Sequence, residues 1–332
     1  MQLIKIAKAI KYMLGTGLLT FCLSGCADAD EDITGTMMNS TKPKGNTQRE
    51  QELPIDIDVE KITIELSGVE EEYKLLYVSD LHMIILDEEV LEEHKTAVEQ
   101  RVDFFSAPTG VNPIEIWEGL PQYLDSYHAD AVLFGGDMLD YASTSNIQCL
   151  QEGLNNLTTP YLYVRADHDY GNHYTGLDAS YIKDLHGKMD GALEISLLEF
   201  PDFCIVGIDN NTSNITPEGL ARFREIYALG KPIILLTHVP IASQFDDSLA
   251  EQSKKAWQDR ALIWGSGYYY EPDANTKEFL DMIYREDSLV KEILSGHLHF
   301  SWDGPISNQA YGHVFAPAIN GSIGLITVKG TE

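Results

Sequence analysis

A layered α/β architecture with a mixed sheet is the expectation for this chain of 332 residues. Three observations carry it. Short apolar runs recur at Leu75 to Val78, Ala131 to Phe134, Tyr161 to Val164 and Ile233 to Leu236, each of a length that suits a buried strand. Stretches with helical spacing separate them, as when helices cover the faces of a sheet. Apolar residues make up 44% of the chain, enough for a substantial core.

The elements follow in order. Lys5, Lys8 and Lys11 precede an apolar run from Tyr12 to Leu23 and the small residues Ser24-Gly25-Cys26. A basic start, a short apolar stretch and small residues describe a secretory leader over residues 1–25. The run is shorter than the about 20 apolar residues a membrane span needs. Leu23-Ser24-Gly25-Cys26 resembles the lipobox of bacterial lipoproteins, which implies lipidation at Cys26 and an extracytoplasmic protein anchored to the cell membrane. A plain signal peptide or an uncleaved anchor is the alternative. Residues 26–56 are polar and patternless and read as a flexible tether, with a reach of roughly 30 Å.

Residues 57–332 are expected to form the folded domain. Ile62, Ile64 and Leu66 alternate as in a half-buried strand, and Tyr73 to Val78 forms the next. Val90 to Phe105 reads as a helix, and Pro113 to Tyr127 as a second one interrupted at Pro121. Strands are expected at 131–135, 161–165, 203–208 and 233–237, with helices near 144–157 and 216–229. Leu193 to Leu198 followed by Phe203 to Ile208 suggests a hairpin, hence a mixed sheet. An aromatic-rich insertion spans about 241–287, with Trp257, Trp264, Tyr268, Tyr269, Tyr270 and Tyr284, and a helix at Asn275 to Arg285. It either lines a cleft or packs over a sheet edge.

Charge excludes some classes. The formal net charge of −29 repels nucleic acid and anionic headgroups, so no nucleic-acid partner is expected. Loss of residues 1–25, with three lysines and no acids, would take it from −29 to −32. Cys149 and Cys204 show no ligand spacing and are expected as buried thiols, with a disulfide as the alternative. Nothing in the sequence fixes an oligomeric state.

Five clusters carry the chemistry: Asp80-Leu81-His82, Gly136-Asp137-Met138-Leu139-Asp140, Asp167-His168-Asp169, Thr237-His238 and Gly296-His297-Leu298-His299. Each follows an apolar run. Hard oxygen and borderline nitrogen ligands at strand ends suit a catalytic divalent-metal centre. Singly these motifs are weak; all five in order are not.

Together they resemble the calcineurin-like metallophosphoesterase superfamily, whose pattern is D-x-H, G-D-x-x-D, G-N-H-D/E, a lone histidine and G-H-x-H. The resemblance runs from about Lys74 to the C-terminal strands. It implies a sandwich of mixed sheets flanked by helices, and hydrolysis of phosphate mono- or diesters by a metal-bridging hydroxide. It assigns one metal to Asp80, His82 and His299, the second to Asp167, His238 and His297, and the bridge to Asp137. Two divalent ions a few ångströms apart neutralise charge growing on phosphoryl oxygens; Mn, Fe and Zn all suit this ligand set. His168 becomes the proton donor to the leaving oxygen, oriented by Asp169.

The chain departs from the pattern at Ala166-Asp167-His168-Asp169, where aspartate replaces asparagine. The extra charge predicts tighter metal binding but a slower enzyme, or altered metal preference. The substrate expected is a small phosphate ester. The rival reading is a catalytically impaired surface lipoprotein that binds metal or ligand. Arg165 reads as a surface ion-pair partner, with a contact to a substrate phosphate as the alternative, Asp140 as an acid supporting its own loop or the site, and Asp209 as a turn cap. His94, His128, His173, His186 and His313 read as surface or structural residues, with His173 and His313 nearest the cleft.

Overall fold

The computed structural model describes residues 53–187, 194–210, 214–265 and 271–331. The leader, Cys26 and the tether up to residue 52 lie outside the described residues, as do Tyr268, Tyr269 and Tyr270.

The elements run β1 (Asp58–Leu66), β2 (Tyr73–Val78), α1 (Lys95–Ser106), α2 (Pro113–Asp125), β3 (Ala131–Phe134), α3 (Thr144–Asn156), β4 (Tyr161–Tyr163) and the single turn α4 (Asp167–Tyr170). They continue as α5 (Ala179–His186), β5 (Ile195–Glu199), β6 (Cys204–Ile208), α6 (Pro217–Tyr227), β7 (Ile233–Thr237), α7 (Ser248–Ala256), α8 (Ala274–Tyr284), β8 (Val290–Ser295), β9 (Trp302–Pro305), β10 (Tyr311–Val314) and β11 (Ser322–Gly330). One sheet has the order β1-β11-β2-β3-β4 and the other β5-β6-β7-β8-β10-β9. Both are mixed: β2, β3 and β4 are parallel, as are β6, β7, β8 and β10, whereas β2–β11, β5–β6 and β9–β10 are antiparallel.

The two-residue period of a strand builds the layers. Leu75 and Tyr77 point between the sheets and Leu76 and Val78 outward; Leu133, Ile205, Ile234, Leu236 and Leu294 join the inner layer. On the outer face of the first sheet, Val132 and Phe134 pack with Trp117, Leu120, Ile147 and Leu150 of α2 and α3. On the outer face of the second, Val206, Ile208 and Leu235 pack with Phe223 of α6 and Phe279 of α8. Strands buried on both faces read as unbroken apolar runs, which is why they were visible in the sequence. Helix starts are equally local. Asn112, Ser143, Asp178, Thr216 and Asp273 each accept a backbone N–H of the helix they precede, satisfying donors that have no partner within the helix.

Several expectations are corrected. α2 runs unbroken through Pro121, which is buried on the same face as Trp117 and Leu124; burial of that face offsets the missing backbone hydrogen bond. The helix expected from Val90 begins at Lys95, after a short 3₁₀ turn at Glu92–His94. Leu53 and Ile55 are half-buried against the core, so packing begins before residue 57. Arg165 is 1% exposed, not a surface residue: it donates to His186 Nδ1 and O at 3.2 and 3.1 Å and lies over the Tyr163 ring. Cys149 and Cys204 are free thiols. Among the described residues no helix is long and apolar enough to cross a membrane.

Candidate metal centre

Parallel strands deliver their following loops to one end of a sheet. β2, β3 and β4 are neighbours in one sheet, β7 and β8 in the other. The segments that follow them carry Asp80 and His82, Asp137, Asp167 (at the start of α4), His238, and His297 with His299. Backbone bonds lace these loops together: Asp80 N–H to Gly136 O at 2.9 Å, His82 N–H to Asp137 O at 3.0 Å, and Gly296 N–H to His238 O at 3.1 Å. Three further bonds tie sheet to sheet at the same place. His297 N–H donates to both Asp80 carboxylate oxygens at 3.1 Å, and His238 Nδ1 to Gly135 O at 2.8 Å.

The loops are strained where the ligands sit. Asp80, His82, Asp137, His297 and His299 all have left-handed backbone, with φ of 57, 50, 50, 70 and 57°. Such a conformation costs a non-glycine residue about 1–2 kcal/mol, and clustered strain of this kind marks functional sites. Two glycines leave room for the site. A Cβ on Gly296 would lie 2.3 Å from Asp80 Oδ2, and one on Gly136, whose φ is +91°, would lie 2.9 Å from His238 Nδ1.

All seven expected ligands are brought together. Asp80, His82 and His299 form one group and Asp137, Asp167, His238 and His297 another, with ligand atoms in each group within 4.8 Å of one another. Asp137 Oδ2 is 3.1 Å from His238 Nε2 and 3.9 Å from His82 Nε2, so one carboxylate oxygen faces both groups. His82 Nε2 meets His299 Nε2 at 3.1 Å, and His297 Nδ1 meets His238 Nε2 at 3.1 Å. The Nδ1–H of His238 is already spent on Gly135, so its Nε2 can face the Asp137 carboxylate and a second imidazole only with a proton or a metal ion between them. Acceptors that converge without a donor between them need a positive charge, and the donor set of imidazoles and carboxylates fits a divalent metal.

The titration behaviour has the same cause. Burial opposes charge on His238, yet Asp137 and Asp80 outweigh it and push its pKa up to about 10. Burial and then charged His238 push His297 down to about 4. Burial raises Asp80, but His299 and His238 outweigh it and hold it at about 2. Asp137 falls well below the usual carboxylate range because His238, His168 and His82 overcome its burial.

Beside the ligands, His168 Nδ1 donates to the Asp140 carbonyl at 2.8 Å and lies 3.2 Å from Asp140 Oδ1. Burial lowers its pKa, but Asp137, Asp140 and Asp167 together raise it well above the ordinary value. The acid next to this ring is therefore Asp140, and the role expected for Asp169 is corrected. Asp169 spends its carboxylate on three backbone N–H groups: Asp137 at 3.0 Å, Leu139 at 3.0 Å and Ala166 at 2.9 Å. Burial and Asp137 push it up to about 7 against those donors. A signal for this was in the sequence, since an acid at the third position of a helix reaches back to the N–H that precedes the helix.

Other residues escaped the sequence reading. Arg101 of α1 forms a buried bidentate pair with Asp140, and Phe105, one turn on, stacks flat on His82 with centroids 4.4 Å apart. Asp140 Oδ1 also lies 3.5 Å from His82 Nδ1. The i, i+4 spacing of Arg101 and Phe105 on one helix face was the available clue. The aromatic insertion divides between its two readings: Trp264 is buried against Phe279, whereas Trp257 stands 5.8 Å from His299, centroid to centroid. Tyr170 Oη donates to Asp209, His313 pairs with Glu292 at 3.1 Å, and His173 lies against Tyr174 with the ring planes tilted by 51°.

A family model described as calcineurin-like phosphoesterase matches residues 73–301. No curated protein matches the chain. Similar solved structures include a dimetal phosphatase from Danio rerio, at 12% identity over 75% of this chain and 88% of that one, with a TM-score of 0.43. A 5′-nucleotidase from Candida albicans aligns at 11% identity over 80% of this chain and 47% of its own, with a TM-score of 0.39. The family match spans most of the chain and contains all five clusters, and the chain belongs to the calcineurin-like phosphoesterase family.

Proposed function

We propose that this protein hydrolyses phosphate mono- or diesters at a centre holding two divalent cations, of Mn, Fe or Zn. The observation that carries the reading is the convergence of seven ligand-type side chains into two groups that meet at one oxygen of Asp137. Membership of a family of metal-dependent phosphoesterases supports it. Asp80, His82 and His299 would hold one cation, Asp167, His238 and His297 the other, with Asp137 shared. Cations so placed supply a nucleophile from water near neutral pH and offset charge on the phosphoryl oxygens.

The remaining steps belong to the protein. Asp140 fixes the His168 ring through Nδ1, which leaves Nε2 to give a proton to the departing alcohol oxygen. Arg101 holds Asp140 in place. Asp167 is exposed, and its charge opposes approach of an anionic ester. The test is an assay of the metal-stripped full chain with p-nitrophenyl phosphate and its bis-ester after addition of Mn²⁺, Zn²⁺ or Fe²⁺. Hydrolysis of at least one ester is expected, and faster turnover in Asp167→Asn. Failure with both esters under every metal sinks the reading; an unchanged rate in the variant sinks only the charge argument.

A further inference from the structure

The segment between β7 and β8 reaches the metal centre through a residue that no ligand pattern announces. α7 ends at Ala256, and Trp257 follows as its C-terminal flank. Its Nε1–H donates to the Leu298 carbonyl at 3.0 Å, on the residue between the two left-handed histidines His297 and His299. Its ring meets the His299 imidazole edge to face, with planes at 80°. Leu298 is itself buried, in a cluster with Leu249, Ile263 and Val314.

The backbone just beyond Trp257 is costly. Gln258 and Asp259 lie in the left-handed region at φ of 58 and 65°, a conformation unfavourable for residues that carry a Cβ. Four bonds hold this turn. Asp259 N–H donates to Lys254 O at 2.8 Å, and Arg260 Nε to Trp257 O at 3.0 Å. Buried Ser253 Oγ donates to Arg260 O and accepts from Leu262 N–H, both at 2.9 Å. Strain at two consecutive non-glycine residues persists only where the surroundings over-determine it. What this turn fixes is the position of one indole.

We infer that Trp257 is a positioning residue for the cation held by Asp80, His82 and His299. It pins the Leu298 carbonyl and limits rotation of the His299 ring, whose Nε2 faces His82 Nε2 at 3.1 Å and Asp80 Oδ1 at 3.4 Å. His297 has braces of its own, His238 at 3.1 Å and the bond from its N–H to Asp80. Loss of the indole therefore falls on one group of ligands and spares the other. This rests on the two-cation reading.

The experiment titrates Mn²⁺ by calorimetry into the metal-stripped full chain and its Trp257→Phe and Trp257→Ala variants. Phe keeps a ring but removes the donor; Ala removes both. The wild-type chain is expected to show two binding steps. Trp257→Phe is expected to weaken one step about tenfold or more, the usual scale for a group supporting a ligand, and leave the other within about twofold. Trp257→Ala weakens the same step further. Metal-free Trp257→Phe should melt within a few degrees of the wild type, a shift worth about 1 kcal/mol. Two steps retained within about twofold in both variants overturn the inference. So does an equal loss in both steps, or a loss matched by collapse of the metal-free melting temperature in Trp257→Phe, because a merely structural tryptophan would do that. If the wild type binds no Mn²⁺, Zn²⁺ or Fe²⁺, the two-cation reading fails first and takes this inference with it.

Discussion

Asp140 and Asp169 are both fully buried, and each is the last acid of its cluster. Only Asp140 meets the His168 ring, so Asp140→Asn is expected to lower kcat about a hundredfold or more, with esters of poorer leaving groups hit hardest. Asp169→Asn should mainly cost stability, about 1–3 kcal/mol, since one amide nitrogen must then face a backbone N–H. Comparing kcat for p-nitrophenyl and phenyl phosphate on folded protein separates the two; equal losses would contradict the assignment. The ligands themselves were legible because strand ends give each a fixed address. Which of two acids reaches a ring was not, because that depends on the rotation of a four-residue turn.

His186 carries a different consequence. Burial, then the neighbouring Arg165, push its pKa down from 6.5 to about 3, so the folded protein holds the ring neutral while the unfolded chain protonates it below about 6.5. Between those values the unfolded state binds more protons, and stability falls as pH falls. The slope is at most about 1.4 kcal/mol per pH unit from this one group. Urea unfolding of the wild type and His186→Gln from pH 7 to pH 4 should show a shallower acid loss in the variant. Parallel curves would show that the ring does not titrate on unfolding.

At the level of the elements, α2 and α3 pack through a missing side chain. A Cβ on Gly153 would lie 2.4 Å from the Trp117 ring. Alanine is the better helix former by about 1 kcal/mol, but overpacking a tight contact costs about 1–3 kcal/mol, and the clash should win. Gly153→Ala is expected to lower the melting temperature by a few degrees; a rise would mean that Trp117 yields. The same balance explains what could be read in advance. β2, β3, β6 and β7 are runs of apolar residues that only a doubly covered sheet requires. α5 is eight residues with few apolar positions, and β9 and β10 contain Gly and Pro, so these owe their form to neighbours, not to their own composition. Trp257 was legible as an aromatic but its direction was not, since the turn that aims it is made of Gln258 and Asp259.

The whole chain combines a −29 charge with a centre that would draw anions. We propose that it works outside the cytoplasm on a lipid anchor at Cys26, on the strength of the basic, apolar and small-residue order of the first 26 residues. Expressed in a bacterium that lipidates such leaders, Cys26→Ala should move the protein from the membrane to the soluble fraction; persistence in the membrane would reject lipidation. On that proposal an acidic body on a tether would be held off an anionic surface, which would suit small phosphate esters arriving by diffusion.

The most direct measurement is metal content by elemental analysis, after reconstitution with Mn²⁺ or Zn²⁺ and removal of free ion. Two ions per chain are expected, falling to about one in His299→Ala and below that in Asp137→Asn, whose shared oxygen serves both sites. A wild-type chain that retains none, or variants that retain as much as the wild type, would contradict the proposed centre.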